Sequence, residues 1–191
     1  GGKGKVRVNL LGAGTILREV LAAADMLESE FGVPADVFSV TSFSELRREA
    51  LDIERWNLRH PDAPPRTSFV GRCLARAEGP FIAATDYMRT VPDQIRQWVP
   101  GPFYSLGTDG YGRSDCRAAL RDFYEVDRRY IVLAALRSLA STDQMAMDTV
   151  TSANARYESD PEKANPIYGK VILRWRRELE NACRTSATTR M

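Results

Sequence analysis

Histidine and cysteine are nearly absent from these 191 residues: His60 stands alone, and Cys73, Cys116 and Cys183 are an odd, widely spaced set with no Cys-x-x-Cys pair. Such cysteines fit a reduced, cytosolic chain with thiols as small apolar core groups. They do not fit a disulfide scaffold or a zinc site. His-Glu-x-x-His, Gly-x-Ser-x-Gly and P-loop patterns are missing too, so the chain carries no complete catalytic or metal signature of its own. Lysine occurs only at positions 3, 5, 163 and 170, so nearly all the positive charge is arginine. With 27 basic against 25 acidic side chains the net charge is +2, which does not support a dedicated electrostatic nucleic-acid binder with a basic excess gathered on one face or tail. The longest apolar run of the second half, Tyr130 to Leu136, is roughly a third of the ~20 residues a membrane helix needs. Neither nucleic acid nor membrane is expected as a partner. Gly1 to Lys5 is polar, with no apolar stretch behind it to make a signal peptide. Residues 1–5 read as a polar lead or a cloning remnant, and the missing initiator Met reads as processing or as a piece cut from a longer protein.

What is present is ordinary globular material: 43% apolar, 27% charged and 9% aromatic residues in 21.4 kDa, enough for one domain. Val6 to Leu11 reads as a strand, Gly12-Ala13-Gly14 as a turn, and Thr15 as the cap of a helix carrying Ile16, Val20, Leu21, Ala24, Leu27 and Phe31, closed by Gly32. Ala35 to Val40 is a second strand, and Ser42-Phe43-Ser44-Glu45 a capping box opening a helix through Trp56. The prolines Pro61, Pro64 and Pro65 forbid regular structure in the connection after it. A short helix over Ser68–Ala77, a strand over Pro80–Thr85, a helical piece over Thr90–Trp98 and a strand over Phe103–Leu106 follow. Ser114 or Asp115 is expected to cap a helix to about Phe123, and Asp127 another through Leu139. Alternating strands and helices predict an α/β fold with a mainly parallel sheet and helices on both faces. The domain is placed at residues 6–167, with a last helix, Tyr168–Cys183, and a frayed end making up residues 168–191.

Three features invite chemistry. Gly12-Ala13-Gly14 suggests a dinucleotide turn, but the third small residue of that fingerprint is Leu17, and Val40-Thr41-Ser42 stands where a ribose-binding acid belongs. A tight strand–helix turn explains it better. His60 precedes Pro61 with no Ser, Cys or acid at motif spacing, so a structural or surface role outweighs a catalytic one. The segment Gly107-Thr108-Asp109-Gly110-Tyr111-Gly112-Arg113-Ser114-Asp115 combines sharp turns with charge at the end of a strand, where open α/β sheets place ligands. It is either a ligand-side loop or one whose Arg113 pairs with its own Asp neighbours.

In order along the chain, Val40-Thr41-Ser42-Phe43-Ser44-Glu45-Leu46, Glu54-Arg55-Trp56-Asn57 with His60-Pro61, Ala84-Thr85-Asp86-Tyr87-Met88, the loop Gly107 to Asp115, and Glu162-Lys163-Ala164-Asn165-Pro166 resemble one protein type. It is the C-terminal domain of the homodimeric bacterial pyruvate dehydrogenases, the decarboxylating first component of the complex, in the transketolase-like thiamine-diphosphate family. The resemblance implies three α/β domains, thiamine diphosphate and magnesium held across a dimer interface by the upstream two, and a cytoplasmic enzyme linking glycolysis to acetyl-CoA. Its partner is a lipoyl-bearing acyltransferase component, which it acetylates reductively. The third domain supplies no established cofactor ligand. It completes the dimer and buttresses the active-site channel, so no catalytic, cofactor or metal residue is expected in this chain, which alone should be inactive. Thr108-Asp109-Gly110 accordingly lacks the leading Gly of a thiamine-diphosphate magnesium motif, and residues 129–146 lack its Asn. The candidate domain, dimer or channel edge is Asp109, Tyr111, Arg113, Asp115 and His60. Two departures are Cys116, where the family has Ser or Thr, and a chain that runs past Asn165-Pro166. The same domain of a related 2-oxo acid dehydrogenase, and a non-catalytic interaction module using the tail, are the alternatives.

Overall fold

The computed structural model describes residues 6–168. Four strands, β1 (Val8–Gly12), β2 (Ala35–Ser39), β3 (Phe81–Ala84) and β4 (Phe103–Leu106), form one sheet in the order β2-β1-β3-β4. All pairs are parallel, with Leu10 opposite Val37 and Ile82, and Ala83 opposite Ser105. Among the described residues seven α-helices join and cover it: α1 (Leu17–Phe31), α2 (Phe43–Arg59), α3 (Phe69–Leu74), α4 (Thr90–Asp93), α5 (Arg117–Phe123), α6 (Arg128–Ser141) and α7 (Met147–Arg156). The α/β expectation with helices on both faces holds.

Strand alternation divides the core in two. Val8, Leu10, Ile82 and Ala84 face α1, α6 and α7, packing with Val20, Leu27, Ile131 and Leu136. Leu11, Phe81 and Ala83 face the other way, onto Phe43 of α2, Val70 and Leu74 of α3, and Ile95. Asn9, fully buried inside β1, donates from Nδ2 to the Glu78 carbonyl at 2.8 Å, tying the chain ahead of β3 to the central strand.

Caps fall largely where side-chain chemistry puts them. The Ser42 hydroxyl accepts from the Glu45 amide at 3.2 Å, Ser68 accepts from Gly71 at 3.2 Å, and Asp127 accepts from Arg129 at 2.9 Å. Gly32 closes α1 in the left-handed region at φ 64°. Other expectations need correction. Thr15 does not cap α1: it sits in a 3-10 turn, Gly14–Ile16, and its hydroxyl donates to Asp86 instead. Neither Ser114 nor Asp115 caps α5, whose first turn follows Cys116, because Asp115 Oδ1 accepts from the adjacent Cys116 amide at 2.7 Å. The helix expected over Thr90–Trp98 breaks into α4 and a 3-10 turn, Arg96–Trp98, where the chain bends to bury Ile95. Helix α7 was not foreseen. Cys73 and Cys116 are exposed rather than core thiols, since α3 turns Val70 and Leu74 inward and Cys73 outward, and Cys116 lies in a loop. The helix expected over Tyr168–Cys183 lies outside the described residues except for Tyr168, which ends a 3-10 turn, Pro166–Tyr168.

Candidate functional site: a cleft at the strand ends

In a sheet of order β2-β1-β3-β4, the connections leaving β1 and β3 run to opposite sides. The crevice beyond their carboxyl ends is where such sheets bind ligands. There the structure has an open cleft of about 750 Å³. Its floor is apolar, from Ile16, Leu120 and Val126, and its rim carries Thr15, Asp86, Thr108, Asp115, Arg113, Arg117 and Arg121.

Each wall is braced by its own strand-end loop. The Thr15 hydroxyl donates to Asp86 Oδ2 at 3.1 Å, bridging β1 and β3 at the crevice. The Thr108 hydroxyl donates to the Asp86 carbonyl at 2.8 Å, and its amide to the Tyr87 carbonyl at 2.9 Å, fixing the loop after β4 to the loop after β3. Asp109 completes that brace by accepting from the Arg89 amide at 3.2 Å. The two loops come so close that a Cβ on Gly107 would lie 2.6 Å from the Tyr87 carbonyl oxygen and 2.7 Å from the Arg89 nitrogen. Gly107→Ala is therefore expected to cost about 1–3 kcal/mol. It should also strip hydrogen-exchange protection from the Thr108 amide; urea melts and amide exchange check both.

The third wall rests on a buried charge. Glu19, only 6% exposed on α1, accepts from Arg121 at 2.7 Å and from Arg128 Nε at 2.9 Å. The Arg128 hydrogen bond, against the opposing effect of burial, holds its carboxyl below the usual range. Arg121 also donates to the Thr15 carbonyl at 3.4 Å, so α1, α5 and α6 converge on one ion pair cluster under the cleft. Lys163 performs a similar service outside it, donating to the Asp122 carbonyl and to the Tyr130 hydroxyl at 2.9 Å.

Of the residues expected at a functional edge, Arg113 and Asp115 line the cleft. Asp109 lies next to it in a smaller recess with Arg89. Tyr111 is 75% exposed, with its carbonyl accepting from the Tyr124 hydroxyl. Arg113 forms no ion pair with Asp109 or Asp115 among the described residues; its guanidinium covers the Phe123 ring at 4.1 Å. His60 is not among the residues lining the cleft. It ends α2, stacked on Trp56 at 4.3 Å with Nδ1 2.8 Å from the Trp56 carbonyl. There Arg66 also lies over the Trp56 ring, and Asn57 pins the proline segment by exchanging two 2.8 Å hydrogen bonds with the Arg66 backbone. Thr15, Arg117, Arg121 and Glu19 had not been singled out as functional. Glu19 did leave a signal, as a charge within the apolar stripe of Ile16, Val20 and Ala23.

Among the described residues no three His, Cys, Asp or Glu side chains group so as to hold a metal ion. The residues present do not fit a magnesium–diphosphate cofactor, which requires clustered oxygen ligands.

The parallel sheet and its strand-end cleft define an α/β domain, and the chain belongs to the family described as the transketolase-like C-terminal domain, which matches residues 2–127. Its relatives are named pyruvate dehydrogenase E1 component. The Pseudomonas aeruginosa protein is 55% identical over 161 residues, covering 84% of this chain and 18% of that protein. The Escherichia coli K12 protein is 47% identical over 167 residues, 87% of this chain and 18% of that protein. The Mycolicibacterium smegmatis protein is 46% identical over 155 residues, 81% of this chain and 17% of that protein. The chain thus spans less than a fifth of the length of these relatives. A solved structure titled "Split gene transketolase, inactive beta4 tetramer" superposes with a TM-score of 0.50 at 21% identity, over 72% of this chain and 41% of that one, and supports the fold alone. No described helix is long and apolar enough to cross a membrane.

Proposed function

We propose that this chain acts as the C-terminal domain of a pyruvate dehydrogenase E1 component, a cytoplasmic homodimer that decarboxylates pyruvate and reductively acetylates a lipoyl group on an acyltransferase partner. The observation that carries this is the 55% identity to the Pseudomonas aeruginosa E1 component across 84% of the chain. Thiamine diphosphate and magnesium belong, in this reading, to upstream domains of the same enzyme. The domain's own work is mechanical. Its sheet and the Glu19 cluster set the strand-end loops rigidly, and those loops meet the upstream domains or the second subunit. Asp109, Tyr111, Arg113 and Asp115 form that edge, with His60 a further contact. The exposure of Tyr87 (65%), Met88 (57%) and Tyr111 (75%) around the strand ends supports it, since clustered apolar surface marks an interface.

The test is ferricyanide reduction with pyruvate, thiamine diphosphate and magnesium, comparing this chain with the product of the full reading frame. Turnover by the full-length protein and none by the chain is the expected result. A folded full-length protein that ignores pyruvate but turns over 2-oxobutyrate or 2-oxoglutarate would overturn the substrate assignment, and inactivity on all three would overturn the enzymatic reading.

A further inference from the structure

The rim of the cleft holds two guanidinium groups that no carboxylate among the described residues neutralises. Arg121 is committed to Glu19, whereas among the described residues neither Arg113 nor Arg117 forms an ion pair, and the Arg113 guanidinium lies over the Phe123 ring. Arg113 belongs to the loop from Gly110 to Asp115, none of whose amides donates to another described residue. Unpaired amides beside two fork-shaped cations suit a tetrahedral anion, which offers several acceptor oxygens at once. Across the cleft stands Asp86. Its Oδ2 is fixed by the Thr15 hydroxyl and its carbonyl by Thr108, leaving Oδ1 without a donor among the described residues. A carboxylate oxygen held in this way accepts from ligand hydroxyls. The remaining carboxylate, Asp115, turns Oδ1 to the Cys116 amide. The apolar floor of Ile16, Leu120 and Val126, and a volume of about 750 Å³, match a small-molecule site.

We propose that this cleft binds a small organic phosphate bearing vicinal hydroxyls, with the phosphate at Arg113, Arg117 and the loop amides and the hydroxyls on Asp86. A sugar phosphate and the ribose-phosphate end of a nucleotide share this chemistry. The site goes beyond the function proposed above but shares Arg113 and Asp115 with the edge proposed there, so it rests on that edge leaving the mouth of the cleft open; binding to this chain tests the site apart from turnover by the full-length enzyme.

Isothermal titration of the chain with ribose 5-phosphate, AMP, ribose and inorganic phosphate tests it. Ribose 5-phosphate or AMP should bind saturably in the micromolar to millimolar range, and ribose should not. The tighter of the two phosphates identifies a sugar phosphate or a nucleotide as the source. Arg113→Gln with Arg117→Gln should weaken binding at least about tenfold while the melting temperature stays unchanged. Asp86→Asn should weaken the hydroxyl-bearing probes and leave inorganic phosphate unaffected. No saturable binding of either organic phosphate, or binding indifferent to the arginine pair in a folded variant, overturns the proposal. Equal loss of inorganic phosphate in Asp86→Asn overturns the hydroxyl assignment.

Discussion

Glu19→Ala is expected to destabilise the domain by about 3 kcal/mol, because it leaves a partly buried guanidinium without its counter-charge. For a chain of this length that is roughly 6–12 °C in melting temperature. Arg121 is 16% exposed at its side chain and depends on Glu19, while Arg128 is 49% exposed and can turn to water. Most of the cost therefore falls on Arg121 and on the Thr15 carbonyl it braces. The effect should depend on pH with a definite sign. The Arg128 hydrogen bond lowers the folded carboxyl below its ordinary value of 4.5. Its contribution is complete above that value and is lost as the pH falls through the lower, folded value. Thermal melts of wild type and variant should diverge at neutral pH and converge in acid. A gap that stays constant across that range would show that lost packing, not charge, explains it. Glu19→Gln, which keeps the shape and can still accept a hydrogen bond, should lose less than Ala.

Gly79→Ala should be comparably damaging for a different reason. Gly79 adopts φ +88°, and a Cβ there would sit 2.1 Å from the Arg7 carbonyl oxygen. The next residue's carbonyl accepts from the Asn9 amide at 2.9 Å, so the clash falls where β3 joins β1. Backbone strain and displacement together should cost about 3 kcal/mol or more, read as a shift in urea midpoint without a change in slope. Gly112→Ala is the matched control. A Cβ there would meet nothing within 4 Å, so its stability should stay within about 0.5 kcal/mol of wild type. Equal losses in both variants would mean that general chain stiffness, not the contact with Arg7, sets the penalty.

The elements legible in the sequence were those whose determinants are local. Val6 to Leu11, whose strand the structure places at Val8–Gly12, and Phe103 to Leu106 announce themselves as short β-rich runs. Ser42, Ser68 and Asp127 cap by side-chain bonds to residues two or three ahead. Helix α7 escaped because Ala146 caps it with no side-chain bond and its Thr149, Thr151, Ser152 and Asn154 are indifferent helix formers. It is held by packing on α6, through Val150 and Ala153, which is a tertiary effect. Thr15 was misjudged for a similar reason. Its hydroxyl has a competing partner in Asp86, 71 residues away, that no local pattern reveals. The same distance hid half the cleft. Arg113 and Asp115 stand out within their glycine-rich loop, but Thr15, Arg117 and Arg121 acquire meaning only when β1 and β3 lie side by side. Glu19 meets Arg121 and Arg128 across 102 and 109 residues.

The pairing of β1 with β3 also bears on how the domain forms. Asn9 meets Pro80 across 71 residues, so the central contact of the sheet closes a long loop whose entropy is lost before most of the core can repay it. Helices α1 and α2, with a glycine stop and a serine cap of their own, can flicker into being beforehand, but nothing local helps β3 find β1. Folding should then be limited by that single encounter and slower than for a helical bundle of equal size. Once β1 and β3 are joined, β4 and the loops bordering the cleft have a template to settle on, so the cleft is among the last features to take shape.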